Sequence, residues 1–306
     1  MHQMNTIHQL PCHKAAVLSD IHSNYPAFRA CFEDAVAHGA DCFIFLGDYI
    51  SDLADPRRTL DLVYGISARY PTVCLRGNRE RYMLDCANGT SVFSRGSKTG
   101  SLLYTFEHLL PSDLAFLESL PIYDVIRLNG IPIEIAHALK GNDRYVFAPE
   151  EDKIQNVLNR MEYSCFLSGH SHKQYIHTRH GKTIINPGSI GVPRDHGYLT
   201  QYALLEIDSS GIHCQLRQLP YDIESTIRSQ FASGLTDYAR FWATSILYDV
   251  ITGTEYTGKL LHQVCLRAGE NEAAVCDEAL WQTCAEEMGI RYTEQEILDF
   301  LKSRKA

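Results

Sequence analysis

The chain of 306 residues contains no Cys-x-x-Cys pair, no apolar stretch near the length of a bilayer span, no internal repeat and no low-complexity segment. Its ten cysteines, Cys12, Cys31, Cys42, Cys74 and Cys165 among them, are scattered through apolar contexts. That pattern excludes a dense disulfide framework and reads as reduced, buried small hydrophobes of a cytosolic protein. Residues 1–13 are polar and lack the apolar region of a signal peptide, so they read as a short tail, and neither secretion nor membrane insertion is expected. A surplus of basic charge is missing too: the net charge of −9 argues against general nucleic-acid binding. What is present, at 45% hydrophobic residues, suits a globular cytoplasmic protein. A chain of this kind buries one core of about 200 residues and carries an appendage.

Between residues 14 and 75, short apolar runs ("AAVLSD", "CFIFLGD", "TVCLRGN") alternate with helical patterns over Phe28–Val36 and Thr59–Ala68, which predicts strand-helix-strand-helix-strand. Residues 81–119 read as largely helical. "IYDVIRLNGIPIEIAHA" predicts two strands joined across Asn129-Gly130. A helix near 150–162 precedes a buried run that ends at Gly169-His170. Two more hairpins are predicted, one turning at His180-Gly181 and one about Ser209-Ser210-Gly211. Strands with helices first and hairpins later suggest an α/β protein with a two-layered sheet sandwich flanked by helices. From Asp222 onward the pattern is helical only, and Thr293-x-x-Glu296 is a capping box that opens a last helix. The expected division is therefore a tail over 1–13, an α/β domain over 14–221 and a helical extension over 222–306.

Seven polar residues fall at the carboxyl ends of the predicted strands, where α/β sheets place their sites: Asp20, His22, Asp48, Asn78, His137, His170 and His172. Each has an ordinary explanation taken alone. Asp20, Ser23 and Asn24 can cap a helix beginning near Pro26, Asp48 and Asn78 can close turns, and a single histidine can sit satisfied in a core. Together they form a mixed carboxylate, amide and imidazole set of the kind that borderline divalent metals use. Seven ligands exceed the needs of one tetrahedral ion, and two metals sharing Asp48 as a bridge would use them all.

The ordered series "LSDIHSN", "FLGDYI", "LRGNRE", "IAHA" and "SGHSH" resembles the motifs of the calcineurin-like metallophosphoesterase superfamily over roughly residues 14–220. "INPGSIGVPR" is similar to the smaller bacterial and archaeal phosphodiesterase branch. The resemblance implies a four-layered α/β/β/α sandwich. It also implies that Asp20, His22 and His172 hold one metal, that Asn78, His137 and His170 hold a second, and that Asp48 bridges. Manganese is the metal expected first, with iron, zinc, nickel and magnesium as alternatives. Two such cations about 4 Å apart acidify a bridging water, so solvent would attack phosphorus.

Two departures stand out. Relatives often have Gly-Asn-His-Asp or Gly-Asn-His-Glu where this chain has Gly77-Asn78-Arg79-Glu80, so a histidine that assists the leaving oxygen is replaced by Arg79, which offers charge and no proton. His196 is a candidate replacement acid. A glycine commonly follows the motif histidine, and here Ala138 follows His137. Arg79, Arg194 and Asn24 are candidate phosphate contacts, Arg194 through a bidentate pair. The expected activity is hydrolysis of a small phosphodiester or nucleotide-type substrate. The alternatives are a phosphomonoesterase, a Ser/Thr protein phosphatase-like enzyme, or a non-catalytic metal-binding scaffold. The extension, with Phe241, Trp242 and Trp281, is expected either to cover the cleft or to mediate homo-oligomerisation.

Overall fold

The structure, a computed structural model, describes residues 8–139, 151–208 and 211–305. The chain enters through β1 (His8–Leu10) and continues through β2 (Lys14–Leu18), α1 (Tyr25–Ala37), β3 (Cys42–Phe45), α2 (Pro56–Ser67) and β4 (Thr72–Cys74). Helices α3 (Asn78–Ala87), α4 (Gly100–Glu107) and α5 (Pro111–Ser119) follow. Next come the hairpin of β5 (Tyr123–Leu128) and β6 (Ile131–Ala136), then α6 (Glu151–Arg160) and β7 (Cys165–Ser168). Two further hairpins complete the sheets: β8 (Gln174–Arg179) with β9 (Lys182–Pro187), and β10 (Leu199–Asp208) with β11 (Gly211–Pro220). The remainder is helical: α7 (Ile223–Ala232), α8 (Leu235–Tyr238), α9 (Arg240–Thr252), α10 (Thr257–Ala268), α11 (Glu278–Glu287) and α12 (Glu294–Lys305).

The strands assemble into a six-stranded sheet ordered β1-β5-β6-β7-β9-β8 and a five-stranded sheet ordered β11-β10-β2-β3-β4. Alternation along each strand decides what packs where. Ala15 and Val17 of β2, with Cys42 and Ile44 of β3, face Ile133 and Ile135 of β6, Cys165 and Leu167 of β7 and Ile185 of β9, making the core between the sheets. The intervening residues Ala16, Leu18, Phe43 and Phe45 point the other way and pack on Phe28 of α1 and Leu60 and Val63 of α2. On the far side, Phe166 and Ile184 meet Ile154, Val157 and Leu158 of α6. The order is thus helix, sheet, sheet, helix, as expected. In the β5–β6 turn Asn129 (φ 48°) and Gly130 (φ 84°) both adopt the left-handed backbone of a two-residue hairpin loop. Of the turn expected about residues 209–211, Ser209 and Ser210 lie outside the described residues, while Asp208 faces Gly211 in the register.

Two features differ from expectation. Residues 8–10 are not a free tail: they pair in parallel with residues 126–128 of β5, extending the folded body upstream of residue 14. Three residues are too few to show a period. Cys12 is joined to Cys42, with Cα atoms 5.7 Å apart, because β1 brings the segment before β2 alongside the start of β3, whereas the other eight cysteines are free.

The helical extension has its own core, centred on Ile227, Leu247, Leu260, Val264, Trp281 and Leu301, and it takes in Leu53 and Val192 from the α/β body. Phe241 and Trp281 are buried there, and Trp242 is half-buried, so these aromatics serve packing within the extension. No helix among the described residues is long and apolar enough to cross a membrane.

Candidate metal centre

All five motif segments meet at one end of the sandwich, at the carboxyl ends of β2, β3, β4, β6 and β7. The loops after β2 and β3 are tied by backbone bonds from Ile21 and His22 N–H to Asp48 C=O (2.8 and 3.0 Å) and from Ser23 N–H to Tyr49 C=O (2.9 Å). Buried Glu80 fixes the turn after β3, accepting from the N–H groups of Asp48, Tyr49 and Gly77 at 2.8–2.9 Å. Gly77 is required by close approach, since a Cβ there would collide with the Asp48 carboxylate. Asn186 braces the turn after β7, donating to Gly169 C=O (2.8 Å) and Ser171 Oγ (3.0 Å).

The structure brings all seven expected ligands together, in two groups. Asp20, His22 and His172 form one, with His172 Nε2 at 3.3 Å from Asp20 Oδ1 and 3.1 Å from His22 Nε2. In the second, His137 Nε2 lies 3.1 Å from Asn78 Oδ1, 3.2 Å from His170 Nδ1 and 3.4 Å from Asp48 Oδ2. Asp48 Oδ2 is also 3.8 Å from His22 Nε2, which puts it between the groups.

The tautomers explain why these contacts are unusual. His22 donates from Nδ1 to Asp52 (2.9 Å), His137 from Nδ1 to Leu46 C=O (2.9 Å) and His172 from Nδ1 to Val192 C=O (2.8 Å). Whenever such a ring is neutral, as metal binding requires, it therefore turns a bare Nε2 lone pair inward, toward other lone pairs. Asp20 Oδ1 is buried there with no hydrogen-bond partner. Acceptors facing acceptors at about 3 Å are repulsive alone, and are the spacing of adjacent ligands on an ion with bonds of about 2.1 Å. The residues fit divalent cations.

Without a cation, protons take the same role. Burial opposes charge on His22, but hydrogen bonds to Asp20 and Asp52 outweigh it and raise its pKa to about 9. Against the same penalty, Asp48 brings His137 up to about 10. Burial would raise the Asp48 carboxyl, yet His137 and His22 bring it down to about 2. Burial and the neighbouring His137 push His170 down to about 4.

The centre opens into a cleft of about 530 Å³. Arg79, Lys173 and Arg194 line it from the α/β body, and Thr254, Glu255 and Lys259 from the extension, which therefore walls the cleft. Arg79 is ion-paired to Asp52 (3.0 Å) and Arg194 to Asp249 (3.2 Å). His196 is exposed and is not among the described residues lining the cleft, although its neighbours Arg194 and Asp195 are. Asn24 is corrected. It is fully buried and caps α1, with its amide on Gly191 C=O and Tyr221 Oη and its oxygen accepting from Thr226, so nothing is left for phosphate. Sequence reasoning missed Asp52 and Glu80, for which an acidic residue within four positions of a motif ligand was the available signal, and Lys259, for which there was none; it singled out Trp242 as an aromatic of the extension but not as a partner of Asp52.

Residues 14–210 match the calcineurin-like phosphoesterase superfamily domain. An uncharacterized protein of Methanocaldococcus jannaschii is 26% identical over 229 residues, a match spanning 68% of this chain and 88% of the relative. A metallophosphoesterase from Sphaerobacter thermophilus shares the fold with a TM-score of 0.62 at 20% identity, over 79% of this chain and 100% of that one. A hypothetical protein from Pyrococcus horikoshii does so with a TM-score of 0.65 at 18% identity, over 79% and 99%.

Proposed function

Because the chain belongs to the calcineurin-like phosphoesterase superfamily, we propose that it hydrolyses a phosphodiester or small nucleotide-type substrate with two divalent cations. Asp20, His22 and His172 would hold one, and Asn78, His137 and His170 the other, with Asp48 between them. The mixed oxygen and imidazole set suits manganese, with iron, zinc, nickel and magnesium as alternatives. The observation that carries this reading is the set of inward lone pairs, His22 Nε2 against His172 Nε2 at 3.1 Å and His137 Nε2 against Asn78 Oδ1 at 3.1 Å. Bound there, such cations supply Lewis acidity, acidifying water and neutralising charge on phosphate oxygens.

The chain's own residues do the rest. Asp48 and Asp20 stay ionised, and the Nδ1 bonds of His22, His137 and His172 fix the rings so that Nε2 does not rotate away. Arg79 is anchored by Asp52 at the rim and offers fixed positive charge to a phosphoryl oxygen. Lys173 and Lys259 have no ion-pair partner among the described residues and add attraction for an anion. Apart from the ligands His22, His170 and His172, no imidazole is among the described residues lining the cleft, so no histidine outside the ligand set offers the leaving oxygen a proton there. That favours substrates with good leaving groups. The test is turnover of bis-para-nitrophenyl phosphate beside para-nitrophenyl phosphate by the manganese-loaded protein. Diester preference is expected; equal rates for wild type and Asp48→Asn would overturn the catalytic reading, and monoester preference would make the enzyme a monoesterase.

A further inference from the structure

Asp52 stands outside the ligand set yet touches everything around it. It is buried, and its backbone is held in the left-handed region (φ 69°), a conformation that persists only where surrounding contacts over-determine it. One carboxylate oxygen accepts from His22 Nδ1 (2.9 Å) and faces Arg79 Nη2 (3.0 Å). The other accepts from the indole Nε1–H of Trp242 on α9 (3.0 Å). Its backbone carbonyl accepts from the Gln230 amide of α7 (3.2 Å), and the same amide also donates to the C=O of Ala243, the residue after Trp242 in α9 (3.0 Å). Leu53, the next residue, is packed into the core of the extension.

We propose that the helical extension is a working part of the metal centre: Trp242 and Gln230 are positioning residues that hold Asp52, and Asp52 aims His22 Nε2 into the cradle and fixes Arg79 at its edge. The inference rests on the reading that the cradle holds cations. The chemistry is specific. A carboxylate with donors on both oxygens, His22 and Arg79 on one and Trp242 on the other, cannot swing, so His22 keeps its Nδ1–H and aims Nε2 into the cradle. Remove the indole donor and one carboxylate oxygen loses its partner in a buried setting, which frees the group to turn toward Arg79 and release His22. The extension is thereby coupled to one half of the centre, the group of Asp20, His22 and His172, and has no described hydrogen bond to the half built on His137.

The full chain contains two tryptophans, so Trp242→Phe and Trp281→Phe form a matched pair: each removes one indole N–H, but that of Trp281 donates to Val275 C=O inside the extension. Zinc binding is measured by competition with a chelating dye, alongside melting of the metal-free proteins. We expect Trp242→Phe to weaken one of the two zinc ions by about 10-fold, the lower end of what losing an outer partner of a ligand costs, and Trp281→Phe to leave both affinities unchanged. Wild-type affinity for both ions in folded Trp242→Phe overturns the proposal. Should that variant not fold, the indole N–H resonances of the wild-type protein decide: zinc must shift that of Trp242, identified by its retention in Trp281→Phe, and a resonance unmoved at saturation overturns the proposal. A wild-type chain that binds no zinc, manganese or iron defeats the cation reading itself and this inference with it, whereas normal binding with an indifferent Trp242→Phe defeats this inference alone.

Discussion

The α/β body and the helical extension handle backbone strain in opposite ways. Among the described residues, the body has twelve non-glycine residues with positive φ, and eight of them are Asp20, His22, Ser23, Asp48, Ser51, Asp52, His170 and His172, all in the loops that form the centre. From residue 199 onward every positive φ among the described residues belongs to a glycine, and Gly253 closes α9 in the usual left-handed manner. Strain of this kind costs about 1–3 kcal/mol per residue and has to be held in place by its surroundings. The body supplies ligands in strained loops, and the extension supplies packing that keeps those loops from relaxing, through Leu53, Val192, Gln230 and Trp242.

Several perturbations break or sharpen that contrast. The largest effect is expected at Asp48, in the body: Asp48→Asn removes charge between the two groups and should lower diester turnover by about 10⁴-fold, on the scale of the several kcal/mol that bound cations supply. Stopped assays on metal-loaded protein read it directly. Trp281→Ala attacks the extension without touching a ligand, and should destabilise the protein by about 3–5 kcal/mol in chemical unfolding because it empties a fully buried site. A loss within a few tenths of a kcal/mol would mean that the extension is not a packed unit.

Metal addition should raise the melting temperature by the equivalent of about 2.7 kcal/mol at 100 times the dissociation constant, and His172→Ala should lose part of the gain. The centre is also predicted to exchange protons for cations. With His22 raised to about 9 and His137 to about 10, both rings are protonated at pH 7 in the metal-free protein, while burial and His137 keep His170, at about 4, unprotonated. Cation binding at pH 7 should therefore release protons, and affinity should rise with pH up to about 10. Calorimetry in buffers of different ionisation enthalpy detects the release. For folding of the metal-free protein the sign is reversed. A histidine raised from 6.5 to about 9 stabilises fully below pH 6.5, and the contribution is lost as pH rises through 9. The smallest effect belongs to exposed pairs such as Arg29–Glu33, where Arg29→Ala should change stability by less than about 0.5 kcal/mol.

Most of the body is legible in the sequence because each strand declares itself by an apolar run that stops at a polar pair, and parallel strands carry those ends to one place. His137 and His170 are 33 residues apart and 3.2 Å from each other for that reason alone. Asn24 shows the limit of such reasoning: a capping asparagine and a ligand-binding asparagine look identical until the cap bond to Ala27 N–H and the surrounding donors are seen. Trp242 lies 190 residues from Asp52, and no local period encodes a side-chain bond across that separation. The short β1 and the Cys12–Cys42 link escape for a similar reason, since three residues carry no alternation and a pairing depends on which strand they join.

The central claim is that seven side chains make one cradle for two cations. Anomalous scattering from crystals grown with manganese tests it most directly. Two peaks are predicted, one among Asp20, His22 and His172 and one among Asn78, His137 and His170, with Asp48 touching both. A map with no peak there, or with manganese bound only elsewhere on the molecule, would contradict the account.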